Sequence, residues 1–367
     1  MNEILQVFNE KMPGRFHHAK KLWKLRMLAA GMDHNNVFHL LESANSWDQW
    51  LPACLNAADE FMKKADQALK DGNYATAGYF YKNAALSYHF GQFMWFCDEK
   101  AKKETYQKCA EAFKKAAPLM NPAAHRIEVP WNREIIPGYV RIPPNVKKPP
   151  VLFMVNGIGA WKEELMSFTD FFLDRGIATV SFDGPSQGEL EHVKLTRTNY
   201  EEAVSALIDW IIRHYPELDT DNIALTGISL GGYTSVRCAA ADGRIKAVCG
   251  IGGLYDLSDL EGKTPLFKQV EFSKALGFQD WKSFYQHANE VVNLSDVIEN
   301  IQCSMLMIHG ENDPIADNQH SVRIIEKAIN SPDKELKIFE GGNHVCTNQV
   351  CACRSYAADW VAKRLSA

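Results

Sequence analysis

The stretch Gly227-Ile228-Ser229-Leu230-Gly231-Gly232 follows the apolar run 222–226 (NIALT) and opens a helical pattern. Glycines on either side of a serine permit a sharp strand-to-helix turn, which thrusts the hydroxyl above a sheet at a helix N-terminus. A serine hydroxyl at its ordinary pKa is a poor nucleophile, so the chemistry also needs a base and an acid that orients the base. Asp313 (HGENDPI) follows the apolar run 304–308, and His344 (EGGNH) follows 334–339. Both lie at the expected carboxyl end of a strand, and the three residues occur in the order Ser, Asp, His. Taken alone, Asp313 before Pro314 reads as an Asx turn and His344 as a surface loop histidine. With the serine turn already placed, the combination points to nucleophilic acyl chemistry. Asp317 and His309 are the competing acid and base. Asp317 reads as the start or cap of the next helix, and His309, at a strand end, as a packed residue.

Acyl transfer develops an oxyanion, which needs aimed N–H donors. The backbone N–H of Leu230, directly after the serine, is one expected donor, and that of Ile158, in the loop Asn156-Gly157-Ile158-Gly159, is the other. An ordinary glycine turn would also read as NGIG. The segment 183–188 (DGPSQG) follows another strand and is expected to shape the same crevice, in a structural rather than a chemical role. The chain has no phosphate-cradling Gly-x-x-x-x-Gly-Lys-Ser/Thr, no dinucleotide Gly-x-Gly-x-x-Gly and no His-Glu-x-x-His, so no cofactor is implied. Cys346, Cys351 and Cys353 near His344 lack a second paired ligand group at zinc spacing, so the expectation is packing thiols and no metal.

These residues must be held by a regular scaffold. From about 150 onward, short apolar runs alternate with amphipathic helical patterns (PVLFMV, IATVSF, NIALT, IKAVCGI, SMLMI and KELKIF between them). That alternation predicts an α/β domain with a mostly parallel sheet covered on both faces. The proline-marked stretch from Pro118 to Pro150, with the alternating segments RIEVPW and IPGYVRIP, reads as an entry hairpin. The aromatic-rich stretch of about 255–300 interrupts the rhythm and is expected to form a helical cap segment. Residues 1–122 show spacings of three and four with little alternation, so an all-helical N-terminal domain precedes the α/β domain at 123–367. Within it, Gly72 and Asn73 separate two helices resembling one tetratricopeptide-like hairpin, without the second copy a repeat array needs.

The 367 residues, 46% hydrophobic, can bury two cores. A net charge of -5, with both signs mixed along the chain, offers no basic stripe for nucleic acid or anionic membrane. No apolar run reaches the roughly 20 residues needed to cross a bilayer, and the first residues lack a signal-peptide layout, so a cytoplasmic address is expected. The nine cysteines are an odd count, Cys54, Cys97, Cys109, Cys238, Cys249 and Cys303 sit mostly among apolar or helical neighbours, and no disulfide framework is expected.

GISLGG, NGIG, SFDGPSQGE, HGENDPI and GGNH, together with KMPGRFHHAKKLWKLRMLAAGM and ALSYHFGQF near the start, resemble the bacterial α/β-hydrolases that carry a helical N-terminal domain. The resemblance runs over the whole chain. It implies the α/β-hydrolase fold, a triad of Ser229, Asp313 and His344, and a homodimer. It also implies hydrolysis of a carbon-carbon bond beside a ketone carbonyl on a small aromatic substrate. Glu261 in SDLEGKTP is its counterpart for a substrate-positioning glutamate, with an exposed cap residue as the alternative. Two rival functions remain open: an esterase, thioesterase or amidase with the same triad, and a non-catalytic binding protein that docks a partner through the helical domain.

Overall fold

The computed structural model describes residues 13–93, 95, 98–257, 269–270, 272–273, 276–278 and 280–366. Glu261 lies outside the described residues. The chain divides into two compact units, Met1–Arg126 and Ile127–Ala367.

The described part of the first unit is helical up to its last few residues, which begin the first strand of the sheet: α1 (Pro13–Ala29), α2 (His34–Ser43), α3 (Trp47–Lys70), α4 (Tyr74–Phe93) and α5 (Glu99–Ala116). Asp33 and Asp98 cap α2 and α5 by accepting from Asn36 N and Ala101 N, which satisfies amides that the first helical turn leaves open. Helices α3 and α4 form the hairpin expected around Gly72, whose φ of +76° suits a residue without a Cβ. Small residues on α4 allow close packing: a Cβ at Gly91 would fall 2.8 Å from Cys54 Cβ. Where the helices meet, Trp50 donates to the Phe90 carbonyl at 2.9 Å.

The second unit is built on an eight-stranded sheet in the order β1-β2-β4-β3-β5-β6-β7-β8. The strands are β1 (Ala124–Trp131), β2 (Glu134–Arg141), β3 (Pro150–Val155), β4 (Ala178–Phe182), β5 (Asp219–Ile228), β6 (Ile245–Ile251), β7 (Ser304–Gly310) and β8 (Lys334–Phe339). β2 runs antiparallel to β4, and β3 to β8 pair in parallel. Alternate residues of one strand serve opposite cores, both buried. Val151, Phe153 and Val155 join a layer with α7 (Asn199–His214) and α8 (Leu230–Ala241). Leu152 and Met154 join the other layer, with α6 (Met166–Leu173) and α11 (Val350–Leu365). Burial on both faces explains why these strands read as continuous apolar runs. At about 1.5–3 kcal/mol per fully buried large apolar side chain, the two layers supply most of what holds the sheet.

In the stretch expected to form a cap, α9 (Trp281–Val291) brings Trp281 and Phe284 into a stack at 4.7 Å, and Phe272 stacks on Phe284 at 6.1 Å. Phe272 and Phe284 are core residues. Helix α10 (Gln319–Lys327) follows β7. Among the described residues, no helix is long and apolar enough to cross a membrane.

Candidate active site

The strand order changes direction between β3 and β5: the chain leaves β3 for β4 on one side and returns to β5 on the other. A crevice opens at the carboxyl ends of strands at such a switch point, the usual place for ligands in an open parallel sheet. Ser229 lies there, immediately after β5 and before α8. Its backbone has φ +56° and ψ -122°, a strained conformation for a residue with a side chain, costing about 1–3 kcal/mol. The neighbouring glycines make it possible. A Cβ at Gly227 would sit 2.0 Å from the Gly231 carbonyl oxygen, and one at Gly231 would sit 2.3 Å from that of Val155. Ser229 N donates to Ile251 O at 2.8 Å, which ties the turn to the end of β6.

Asp313 and His344 arrive on two loops joined backbone to backbone. Glu311 N donates to Phe339 O and Asn312 N to Gly342 O, at 2.9 and 2.8 Å. Gly310 has no room for a Cβ, which would fall 2.3 Å from Asn343 O. The fit sets the register between the acid and the base. The Ser229 hydroxyl donates to His344 Nε2 at 2.9 Å, and His344 Nδ1–H donates to Asp313 Oδ2 at 2.7 Å. The other carboxylate oxygen of Asp313 accepts from Ile315 N and Ala316 N. The Asp313 carboxyl is wholly buried, yet the imidazoles of His344 and His309 and the Ala316 amide more than offset burial. They hold it well below the usual carboxylate range.

Ile158 and Leu230 are both buried, and among the described residues neither backbone N–H donates to a protein acceptor. Leu230 opens α8, where first-turn amides lack an intrahelical partner. The loop holding Ile158 passes close to the serine, because a Cβ at Gly157 would lie 3.2 Å from Ser229 Cβ. Two open amides beside a hydroxyl at the switch point form a setting suited to a developing oxyanion.

Neither competitor takes the place of Asp313 or His344 in the line to Ser229. Asp317 accepts from Gln319 N at 2.9 Å at the start of α10. His309 is buried in β7, as a packed strand residue, and also touches the acid: its Nε2 lies 3.0 Å from Ala316 O and 3.3 Å from Asp313 Oδ2. Cys346 and, on α11, Cys353 are buried in the core, whereas Cys351 on the same helix is exposed, and among the described residues no group of three His, Cys, Asp or Glu is placed to hold a metal ion.

Sequence reasoning missed a buried charged group beside the Ile158 loop. Lys162 Nζ lies 2.6 Å from Asp183 Oδ2, 2.7 Å from Glu163 Oε1 and 2.9 Å from Glu189 Oε1. Lys162, Glu163 and Asp183 have fully buried side chains. Burial raises the Glu163 carboxyl, Lys162 opposes the shift, and Asp183 adds to it. The only signal in the sequence was three consecutive charged residues, Lys162-Glu163-Glu164, in a segment flanked by Trp161 and Leu165.

Comparison with known proteins agrees with this architecture. Residues 50–270 match the family described as esterase FrsA-like, and residues 192–366 match the prolyl oligopeptidase family. The chain is 31% identical over 312 residues to 2,6-dihydropseudooxynicotine hydrolase of Paenarthrobacter nicotinovorans, covering 85% of this chain and 83% of that protein. It is 30% identical over 286 residues to the alpha/beta hydrolase ucsC of Acremonium sp, covering 68% of this chain and 57% of that longer protein. The crystal structure of the 2,6-dihydroxy-pseudo-oxynicotine hydrolase superposes with a TM-score of 0.84 at 27% identity, over 93% of this chain and 95% of that one. With its sheet order and serine turn, the chain belongs to the α/β-hydrolases, in the FrsA-like esterase family.

Proposed function

We propose that this protein hydrolyses a carbon-carbon bond next to a ketone carbonyl, in an aryl ketone or β-diketone-like small molecule, with Ser229, His344 and Asp313 as its catalytic triad. The observation that carries the reading is the unbroken hydrogen-bond line from Ser229 through His344 to the buried, ionised Asp313. His344 takes the Ser229 proton as Oγ attacks the carbonyl carbon. The Ile158 and Leu230 N–H groups hold the resulting oxyanion, and Asp313 stabilises the imidazolium. Collapse breaks the bond to the ring carbon, whose electron pair takes the proton from His344. Water then attacks the acyl-enzyme, with His344 again as base, releasing the carboxylate and restoring Ser229.

The carbon-carbon specificity is supported by the resemblance of the motifs and by the relative named for 2,6-dihydropseudooxynicotine, of whose length the chain covers 83%. Expulsion of carbon requires a leaving group that delocalises charge, as a hydroxylated ring can. A second reading, ester hydrolysis by the same triad, is favoured by the family's description as esterase FrsA-like. Comparing kcat/KM on aryl ketones, β-diketones and matched p-nitrophenyl esters separates them. The proposal expects carboxylate and free arene from ketones, whereas fast ester turnover with inert ketones would support the second reading. The expected setting is the cytoplasm, with the chain as a homodimer.

A further inference from the structure

The segment Asp183-Gly184-Pro185-Ser186-Gln187-Gly188 was expected to be structural, and its contacts give it a definite task. Gln187 is buried, and its side-chain amide makes hydrogen bonds on both ends. Nε2 donates to Asn156 O at 2.9 Å and more weakly to Gly157 O at 3.5 Å. Oε1 accepts from Gly184 N at 3.0 Å and from the Tyr200 hydroxyl at 2.9 Å. Burial pushes the Tyr200 hydroxyl well above its ordinary pKa, so it stays a neutral donor.

The residues that Gln187 grips are the two that precede Ile158. A trans peptide is planar, with its carbonyl and N–H on opposite sides. Holding the Gly157 carbonyl, which also accepts from Ala160 N at 3.2 Å, therefore turns the Ile158 N–H away from Gln187. Asn156 is fixed independently, by its own side chain donating to Phe182 O at 2.7 Å. The far end of the loop is tied by Lys162, whose backbone N and ammonium both donate to Asp183, at 2.9 and 2.6 Å. The glycines of the segment give its partners room: a Cβ at Gly184 would fall 2.4 Å from the Tyr200 ring, and one at Gly188 would fall 2.0 Å from Asp183 Oδ2.

We propose that Gln187 is a positioning residue for the reaction: held by Tyr200, it sets the Gly157-Ile158 peptide plane and so aims the Ile158 N–H at the oxyanion. It acts through the loop and touches no substrate. The proposal rests on the reading of Ser229 as nucleophile. It gives the 183–188 segment a function that neither the triad nor the sheet needs.

The test uses the full chain and a fluorophosphonate, which phosphonylates a nucleophilic serine with loss of fluoride and draws on the same oxyanion donors whatever the natural substrate. Gln187→Met keeps the side chain's volume and removes the four hydrogen bonds. Its kinact at Ser229 is expected to fall at least about tenfold, approaching the roughly 100-fold loss for a missing oxyanion donor, with KI within about twofold of wild type. Circular dichroism melts establish that the variant is folded. A purely structural role would lower Tm without separating kinact from KI. Tyr200→Phe removes one bond of the relay and is expected to lower kinact about threefold. It decides the matter should Gln187→Met fail to fold. Unchanged kinact in folded Gln187→Met, or in Tyr200→Phe when it is the deciding variant, overturns the proposal and leaves the nucleophile standing. Absence of wild-type labelling overturns both.

Discussion

Asp313 lies wholly buried between two imidazoles and two backbone amides, and this placement shapes its acid-base behaviour. Its folded-state pKa is depressed, so the stability it contributes is fully present above the unfolded value of about 3.9 and is lost as pH falls through the folded value. Asp313→Asn keeps the shape and removes the charge that stabilises the imidazolium. We expect kcat to drop about 10⁴-fold with the fold intact. The variant's unfolding free energy should also change less steeply than wild type between about pH 4 and pH 2; parallel curves would contradict an ionised native Asp313. Glu163 has the opposite sign. Its folded pKa is raised, so the native state binds the proton more tightly and loses stability as pH rises from about 4.3 through the folded value. Glu163→Gln should raise Tm by about 2–4 °C at pH 8 and by less at pH 4.5, measured by thermal melts; a variant less stable at pH 8 would contradict this. Ser229, Asp313 and His344 were legible because each follows an apolar strand with glycine nearby. What Gln187, His309 and Lys162 do beyond packing was not, because it depends on contacts with residues 12 to 31 positions away.

At the scale of elements, the turn between β5 and α8 depends on backbone clearance. Gly231→Ala would place a methyl against two carbonyl oxygens, from Val155 and Asn156, in a turn that already carries the strained Ser229. It should either prevent folding or abolish fluorophosphonate labelling. Gly243→Ala is the control: a Cβ there meets nothing within 4 Å, so Tm and labelling should stay near wild type. A labelled, stable Gly231→Ala would refute the packing account. The parallel strands were legible as apolar runs because both faces are buried. The direct joining of the Asp313 and His344 loops was not, since HGEND and GGNH carry no mark of the backbone bonds between them.

For the whole molecule, the alternation of strands and helices identified the doubly covered sheet, because each strand must be covered by helices connected to it in sequence. Composition alone did not identify the substrate class, which depends on residue-level chemistry rather than fold. Light scattering should give about twice the 41.4 kDa chain mass if the resemblance carries over to assembly, and a monomer would remove that expectation. The central claim is that Ser229 attacks a ketone carbonyl and that water completes the cleavage. Its most direct test is mass spectrometry of the products formed from an aryl ketone in ¹⁸O-labelled water by wild type and Ser229→Ala. The account predicts one ¹⁸O in the carboxylate, none added to the free arene, and a rate loss of about 10⁵-fold in Ser229→Ala. Comparable cleavage by the variant, or label appearing in the arene, would contradict it.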